Sequence, residues 1–535
     1  MTKPRVPVVA CIVRNSVSHD ARVLKEADAL AAAGWRVTIV GIQDRKVSVA
    51  SESRPSGVRI VRVPLPQALL ADRYARQANR SVAVGLACLA ALGLVVWRWN
   101  PVRDALRHWG LGIWEPLSST AAGVWRNWAD PWDLALLSLF VAAAVAAAFA
   151  FRRSARFRRS ARIKRGRSAA SMPIRARLIG AVRAPARRLV RLISVLGVHR
   201  KSQVIAELML SELDRIRPDV VHCHDLPTLP VGTAWRRRNP GAKVAFDSHE
   251  IYDAVSQMPR AAAWMWRRTL SRHAHEVDLF VTINDSIAKL LRDRDPALPP
   301  AVIIRNATRL PEAVVKPDGR LRMAAGVEDG ERVLLYQGGY QSGRGLRQLV
   351  EAARSLPDGW VLVMMGFGAM EAELRALAAG VDPAGRRIRF IPAAPHSELI
   401  HWTADADVGL IPYENTCLNH WLCSPNKLWE YPVAGVPMLV SPFPELRAAV
   451  ERFGIGRCLP EPLDGAGLAR ILRSLDDDEL RGMRRRCRQH LESDHWGLYA
   501  ERLVAAYRRL LGTEAADTLT APCTSSPSLE LARSS

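Results

Sequence analysis

Residues 218–250 read PDVVHCHDLPTLPVGTAWRRRNPGAKVAFDSHE. Val220–His224 and Val244–Ser248 are short, mostly apolar runs, and the stretch after each reads as helix. Strand, helix and strand in this order form a crossover unit, which sets the strands parallel and covers the sheet with helices. Sheets of this kind bind ligands at the carboxyl ends of their strands. Those ends carry His222-Cys223-His224-Asp225 and Asp247-Ser248-His249-Glu250, so the candidate chemistry of this region lies in two loops.

The alternation extends both ways. Upstream, Val6–Val13, Val37–Gly41 and Arg59–Val63 read as strands, and Asp20–Ala33 as a helix with Val23, Leu24, Ala27 and Leu30 on its apolar side. Downstream, Leu279–Ile283 and Val302–Arg305 complete a first unit. Pro311–Arg322, with Pro317 and Gly319, reads as a linker. A second series follows: Val333–Gln337, Trp360–Met365, Ile388–Ile391, Val408–Ile411 and Pro437–Val440, then helices over Leu463–Leu511. The expected fold is α/β, with two doubly wound, Rossmann-like domains facing a cleft. The N-terminal domain is expected to comprise 1–66 and 203–310, and the C-terminal domain 323–511. The tail 512–535, rich in Ser, Thr and Pro, is expected to be disordered.

Residues 67–202 interrupt the first domain. Ser81–Trp97 carries no charge, and Trp132–Phe151 carries one acid at its edge. With Arg98 and Trp99 at the interface, spans of about 81–99 and 132–151 reach the ~20 residues that cross a bilayer. Trp97, Trp99, Trp109, Trp114, Trp125, Trp128 and Trp132 lie between and beside them. Indole rings favour the headgroup layer. A buried helix of a soluble core is the other reading of the Ala-rich second run. Arg73, Arg76 and Arg80 precede the hairpin, and Arg152, Arg153 and Arg156 follow it, so both outer flanks are expected in the cytoplasm.

The net charge is +24, and residues 152–201 hold 17 Lys or Arg with no acid. From Ile174 to Val198, apolar residues and Arg alternate at roughly helical spacing, which suits a basic amphipathic segment lying on anionic lipid. A solvated charge run or a nucleic-acid patch are the alternatives. Neither accounts for the block starting where a span ends. The expectation is a multi-pass protein of the cell inner (plasma) membrane, with its catalytic domains cytoplasmic and no nucleic-acid partner. The eight cysteines include no Cys-x-x-Cys pair, which argues for reduced thiols and against a disulfide-stapled secreted fold. Val6–Val13 leads into a polar loop and a helix, as a first strand does and a signal peptide does not.

The second domain carries three loops of interest. Gln337-Gly338-Gly339-Tyr340-Gln341-Ser342-Gly343-Arg344-Gly345 precedes a helix, and Gly366-Phe367-Gly368 precedes another. Glycines let a phosphate approach the backbone, helix starts offer free N–H groups, and Arg344 adds a forked cation. In Ser424-Pro425-Asn426-Lys427-Leu428-Trp429-Glu430-Tyr431, a helix starting near Pro425 puts Lys427 in its first turn and Glu430 on the same face. A surface ion pair is the plainer reading of that spacing. In the first domain, His222 and His224 share a strand face and could chelate. No second ligand cluster has metal-site spacing, so neither a metal nor another cofactor is expected. His249, beside Asp247 and Glu250, is the better chemical candidate.

Taken jointly, these stretches resemble glycosyltransferase family 4, retaining enzymes of the GT-B fold. The matching runs are Asp20-Ala21-Arg22-Val23 to Gly34, Pro218 to Asp225, Asp247 to Glu250, Arg344-Gly345, Gly366 to Gly368, Ala406 to Pro412, and Lys427 to Pro437. They cover about 6–65 and 203–510, and the membrane hairpin inserted in the N-terminal domain lies outside the resemblance. The resemblance implies a UDP- or GDP-sugar donor bound mainly by the second domain. Arg344, assisted by Lys427 and with Asn426 beside it, would hold the diphosphate. Glu430 would hold the ribose hydroxyls, and Gly338, Gly339, Gly366 and Gly368 would admit the donor. His249 would sit near the transferred sugar as a catalytic residue with Glu430, and Asp20 and His224 would line the acceptor side. Two departures stand out. The family often has a glutamate eight positions before Glu430, where this chain has Leu422, and an arginine where it has Gly339.

The implied function is transfer of a sugar, with retention, to a membrane-associated glycan or lipid-linked acceptor in cell-envelope or exopolysaccharide biosynthesis. The alternatives are a nucleotide-sugar epimerase on the same fold and a catalytically weak membrane scaffold.

Overall fold

The computed structural model describes residues 5–64 and 202–513, apart from His19, 44–46, Ser48 and Gln257. The two expected spans, the basic segment 152–201 and the tail beyond 513 lie outside the described residues. Among the described residues, no helix is long and apolar enough to cross a membrane.

The first lobe is built on an eight-stranded sheet. Its strands are β1 (Val8–Ile12), β2 (Arg36–Ile42), β3 (Ser51–Ser53), β4 (Arg59–Val63), β5 (Val220–His224), β6 (Lys243–Ser248), β7 (Leu279–Thr282) and β8 (Ala301–Ile303). They lie in the order β3-β4-β2-β1-β5-β6-β7-β8. Every pairing is parallel except β3 with β4. β1 is buried along its whole length, which is why it reads as an unbroken apolar run. Register sets Cys11 beside His222 and His224 beside Asp247.

The second lobe carries a six-stranded parallel sheet. Its strands are β9 (Arg332–Gly339), β10 (Trp360–Phe367), β11 (Ile388–Ile391), β12 (Val408–Ile411), β13 (Met438–Val440) and β14 (Gly456–Cys458). Their order is β11-β10-β9-β12-β13-β14. The order reverses between β1 and β5 in the first lobe and between β9 and β12 in the second. Such switch points open the crevice where doubly wound sheets bind ligands.

Three features depart from the sequence pattern. β3 contains no apolar residue, and β14 is a three-residue edge strand, so neither shows periodicity. The expected linker ends early, because Arg320–Ala325 is helical. The final helix, Trp496–Leu511, leaves the domain it was grouped with. Trp496 N donates to Thr308 O at 3.0 Å, and Tyr507 pairs with His222 of β5 at 2.9 Å. The expected C-terminal domain 323–511 therefore lends its last helix to the first lobe, where Leu503 and Tyr507 are buried.

Candidate active site

A cavity of about 580 Å³ opens at the carboxyl ends of both sheets and is lined from both lobes. The second lobe contributes Gly338, Arg344, Asn426, Lys427 and Glu430, and the first contributes His249, Glu250 and Asn306. These residues come from loops far apart in sequence, brought together by the two switch points.

Arg344 lies with its guanidinium 4.2 Å from the Tyr413 ring centroid. Lys427 Nζ lies 5.5 Å from the Tyr336 ring and 6.0 Å from the Tyr413 ring. Aromatic faces hold cations without neutralising them. Among the described residues, no carboxylate forms an ion pair with either side chain. Two uncompensated cations on one wall favour an anion. Lys427 is the first residue of the helix Lys427–Val433, and Glu430 follows one turn on. Glu430 Oε2 accepts from Gln337 Nε2 at 2.9 Å, and Gln337 Oε1 accepts from Thr403 Oγ1 at 2.7 Å.

Gly338 has φ +122°, and a Cβ there would come within 2.9 Å of Lys427 Nζ. A side chain would therefore displace the ammonium. Gly366 and Gly368 do not line the cavity. A Cβ on Gly366 would sit 2.0 Å from Gly338 O, and one on Gly368 2.4 Å from Tyr340 O. Both are close-packing positions behind the glycine loop, and Gly339 likewise lies off the cavity wall.

The first-lobe half is a buried charge network. His249 Nε2 contacts Asp247 Oδ2 at 2.9 Å, and His249 Nδ1 lies 3.4 Å from Asp225 Oδ2. Burial alone would lower its basicity, but Asp225 and Asp247 outweigh burial and push the imidazole up to about 9. His249 is therefore a cation at neutral pH. Burial acts on Asp247 in the opposite sense, yet Arg22 and then His249 hold it well below the usual carboxylate range. Asp225 is pushed up to about 6 by burial.

The acceptor-side candidates fall elsewhere. His224 is fully buried behind His249, with Nδ1 3.3 Å from His249 Nε2, so it reaches a substrate only through His249. Asp20 caps the helix Ala21–Ala32 by accepting from Val23 N at 3.2 Å, and it accepts from Asn15 Nδ2 at 2.7 Å.

His222 and His224 stack with ring centroids 4.2 Å apart. Donor atoms of Glu26, His222, His224 and Asp247 all lie within 4.8 Å of one another. These types could hold a divalent cation. Here the guanidinium of Arg22 supplies the positive charge, with Nε 2.8 Å from Asp247 and 3.0 Å from Glu26. Burial pushes Glu26 up to about 8 against the pull of Arg22.

Leu422, at the family's glutamate position, is 9% exposed and belongs to the apolar cluster of the first lobe, with Leu418 and Trp421 packed against it. Its carbonyl accepts from Asn284 Nδ2 at 2.8 Å, and Asn284 also donates to Ser424 Oγ at 2.9 Å. Asn419 adds a second bridge, accepting from Ile251 N at 2.9 Å and donating to Glu250 Oε2 at 2.7 Å. Residues 419–424 therefore strap the second lobe to the first. Sequence reading missed this strap, as well as Gln337, Asn306 and Glu26. Only Glu26 left a signal: a carboxylate on a helix face it shares with Val23, Ala27 and Leu30.

Residues 169–310, less than half of the chain, match the family described as Glycosyltransferase Family 4. No curated protein sequence matches the chain. Among solved structures, it is similar to a sucrose-phosphate synthase from Thermosynechococcus elongatus, with a TM-score of 0.60, 15% identity, and 95% of this chain and 100% of that one covered. It is also similar to an α,α-trehalose-phosphate synthase (UDP-forming) from Burkholderia vietnamiensis, with a TM-score of 0.54, 13% identity, and 94% and 100% covered. A glycosyltransferase from Rickettsia africae ESF-5 gives a TM-score of 0.52 at 11% identity, with 95% and 100% covered. At these identities the likeness shows a GT-B-like α/β fold with parallel sheets. With the family match, it supports a transferase enzyme, similar to glycosyltransferase family 4.

Proposed function

We propose that the chain moves a sugar from a UDP- or GDP-sugar to a membrane-associated, lipid-linked glycan acceptor, with retention, in cell-envelope or exopolysaccharide synthesis. One observation carries the reading. Arg344 and Lys427, neither with an ion-pair partner among the described residues, share a cavity with the anchored carboxylate Glu430 and the cationic His249.

In the proposed reaction, the bond from the anomeric carbon to the donor phosphate breaks and a bond to the acceptor hydroxyl forms on the same face. The hydroxyl proton passes to the departing diphosphate. Arg344 and Lys427 stabilise the charge that develops there, and His249 adds a third positive charge from across the cleft. Glu430 accepts hydrogen bonds from the ribose hydroxyls, and Asn426 lines the donor wall beside Lys427. The proposed chemistry uses no cofactor besides the donor.

The membrane part of the proposal rests on the apolar runs at 81–99 and 132–151 and the basic block beside them. The helix Arg260–His273 adds support from the described residues. It contains no acid, and Trp264 is 61% exposed with Arg268 5.7 Å from its ring. Exposed Trp and Arg suit an anionic headgroup layer, and the Arg-rich flanks of the two apolar runs would set the catalytic lobes on the cytoplasmic face of the inner membrane.

The test is donor turnover by the full chain in detergent. A panel of UDP- and GDP-sugars is screened for nucleoside diphosphate release and for binding, with Glu430→Ala and His249→Ala alongside. Release from one donor, sharply lowered but still measurable in both variants, supports the transferase. Free epimerised sugar nucleotide without acceptor points to the epimerase. No binding and no release point to the scaffold.

A further inference from the structure

Arg22 is 7% exposed and does not line the cavity, yet it bonds to Asn306 on the cavity wall and to Asp247 behind His249. Its Nε and Nη2 donate to Asp247 Oδ2 at 2.8 Å and Oδ1 at 2.9 Å. Asp247 Oδ2 in turn lies 2.9 Å from His249 Nε2. Its Nη1 donates to Ile304 O at 2.6 Å and to Asn306 Oδ1 at 3.1 Å. His249 and Asn306 both face the cavity. We propose that Arg22 is a positioning residue that fixes His249 and Asn306 in one geometry around the reacting sugar, an inference that rests on the transferase reading above.

The guanidinium is planar, so a bidentate carboxylate must lie in its plane. That plane sets the direction of Asp247, and Asp247 sets the imidazole. The third nitrogen uses the same rigid fork to hold Asn306. A buried ion pair serving stability alone would be complete at Asp247. The branch to Asn306 couples two walls that β6 and the segment after β8 would otherwise place independently.

Behind Arg22 lies a second carboxylate, paired with it by charge and not by a hydrogen bond. Glu26 Oε1 lies 3.0 Å from Arg22 Nε, and Glu26 Oε2 lies 3.7 Å from His222 Nε2. His222 Nδ1 meets Tyr507 OH at 2.9 Å. Tyr507 and His222 therefore belong to a second hydrogen-bonded pair, and only charge proximity through Glu26, with no hydrogen bond, links it to Arg22. Lysine at position 22 would keep the charge and lose the fork.

The test compares Arg22→Lys and Arg22→Met, alone and in the His249→Ala/Asn306→Ala background, using the full chain in detergent. UDP and GDP binding reports on the second lobe, and turnover uses whichever sugar nucleotide the wild-type chain hydrolyses. Misplacement by about an ångström can cost about 10²-fold, so kcat should fall by that order in both single variants. Nucleoside diphosphate Kd should stay within about twofold, and Arg22→Met should add less than about threefold in the background lacking His249 and Asn306. Losses that simply multiply, or wild-type turnover in Arg22→Lys, overturn the proposal.

A second readout does not depend on activity. The His249 ring N–H protons, held by Asp225 and Asp247, should give low-field proton resonances, assigned by their loss in His249→Ala. They should shift or vanish in Arg22→Lys, and unmoved resonances overturn the proposal. A wild-type chain that neither binds UDP or GDP nor releases either sinks the transferase reading instead, and the spectrum then decides the role of Arg22.

Discussion

Gln337 donates its side-chain amide to Glu430 Oε2 at 2.9 Å. Its amide oxygen accepts from Thr403 at 2.7 Å, so a buried chain from the helix Leu399–Ala404 fixes how Glu430 meets the cavity. Hydrogen bonds to a charged acceptor contribute about 1.5–3 kcal/mol. Glu430→Ala should therefore weaken nucleoside diphosphate binding by about 10- to 10²-fold. Gln337→Leu should lose about 1 kcal/mol, by freeing the carboxylate. Titration calorimetry with UDP and GDP checks both, and an unchanged Kd in Glu430→Ala would remove its ribose role.

Gly338→Ala should impair the diphosphate site without unfolding the lobe. The residue has φ +122°, where a side chain is strained, and the new Cβ would crowd Lys427 Nζ at 2.9 Å. The expected outcome is a loss of about 1–3 kcal/mol in nucleoside diphosphate affinity. Lys427→Met should show a loss of the same sign, and the double variant should lose less than the sum. Wild-type affinity in Gly338→Ala would show that the loop never approaches the phosphates.

Leu422→Glu installs the residue that glycosyltransferase family 4, which the chain resembles, often carries eight positions before the glutamate matched by Glu430. Here position 422 faces the apolar cluster of the first lobe, and its carbonyl is held by Asn284. A carboxylate there is buried without a partner, at a cost of about 2 kcal/mol or more. Thermal unfolding should shift down, with no gain in turnover. A gain would mean that the position addresses the donor after all.

His249 makes part of the stability dependent on pH. Its folded pKa is raised from 6.5 to about 9, so its contribution is complete below the unfolded value and is lost as pH rises through about 9. The groups facing it are Asp225, Asp247, His224 and Arg22. Tm should fall between about pH 6.5 and 9.5 in the wild-type chain, and fall less in His249→Ala. Parallel curves would show that the imidazole is not held charged.

Membrane topology is testable from the sequence expectation alone. A reporter fused between Gly110 and Gly123 should be external, and one fused to the C-terminus cytoplasmic. A cytoplasmic reporter at 110–123 would rule out the hairpin.

Most strands could be read from the sequence because parallel, doubly covered strands are apolar along their length. Val220–His224, Arg59–Val63, Ile388–Ile391 and Val408–Ile411 have the expected bounds. β3 and β14 could not be read, since an edge strand of three residues buries too little to leave a pattern. Arg344, Lys427, Glu430 and His249 were legible because loops after strands are where such sheets bind ligands, and charged residues there stand out. Gln337 and Asn306 were not, because a neutral amide carries no periodic or charge signal.

The sequence by itself indicated the α/β class, the parallel direction of most strands and the loops that line the cavity, since these follow from local apolar patterning and turn residues. Only the tertiary structure decided that His224 is hidden, that Leu422 faces the first lobe, that the final helix crosses back to put Tyr507 on His222, and that Arg22 joins Asp247 to Asn306. Such contacts join residues up to 285 positions apart. They depend on where whole sheets and helices come to rest, and no local pattern records that.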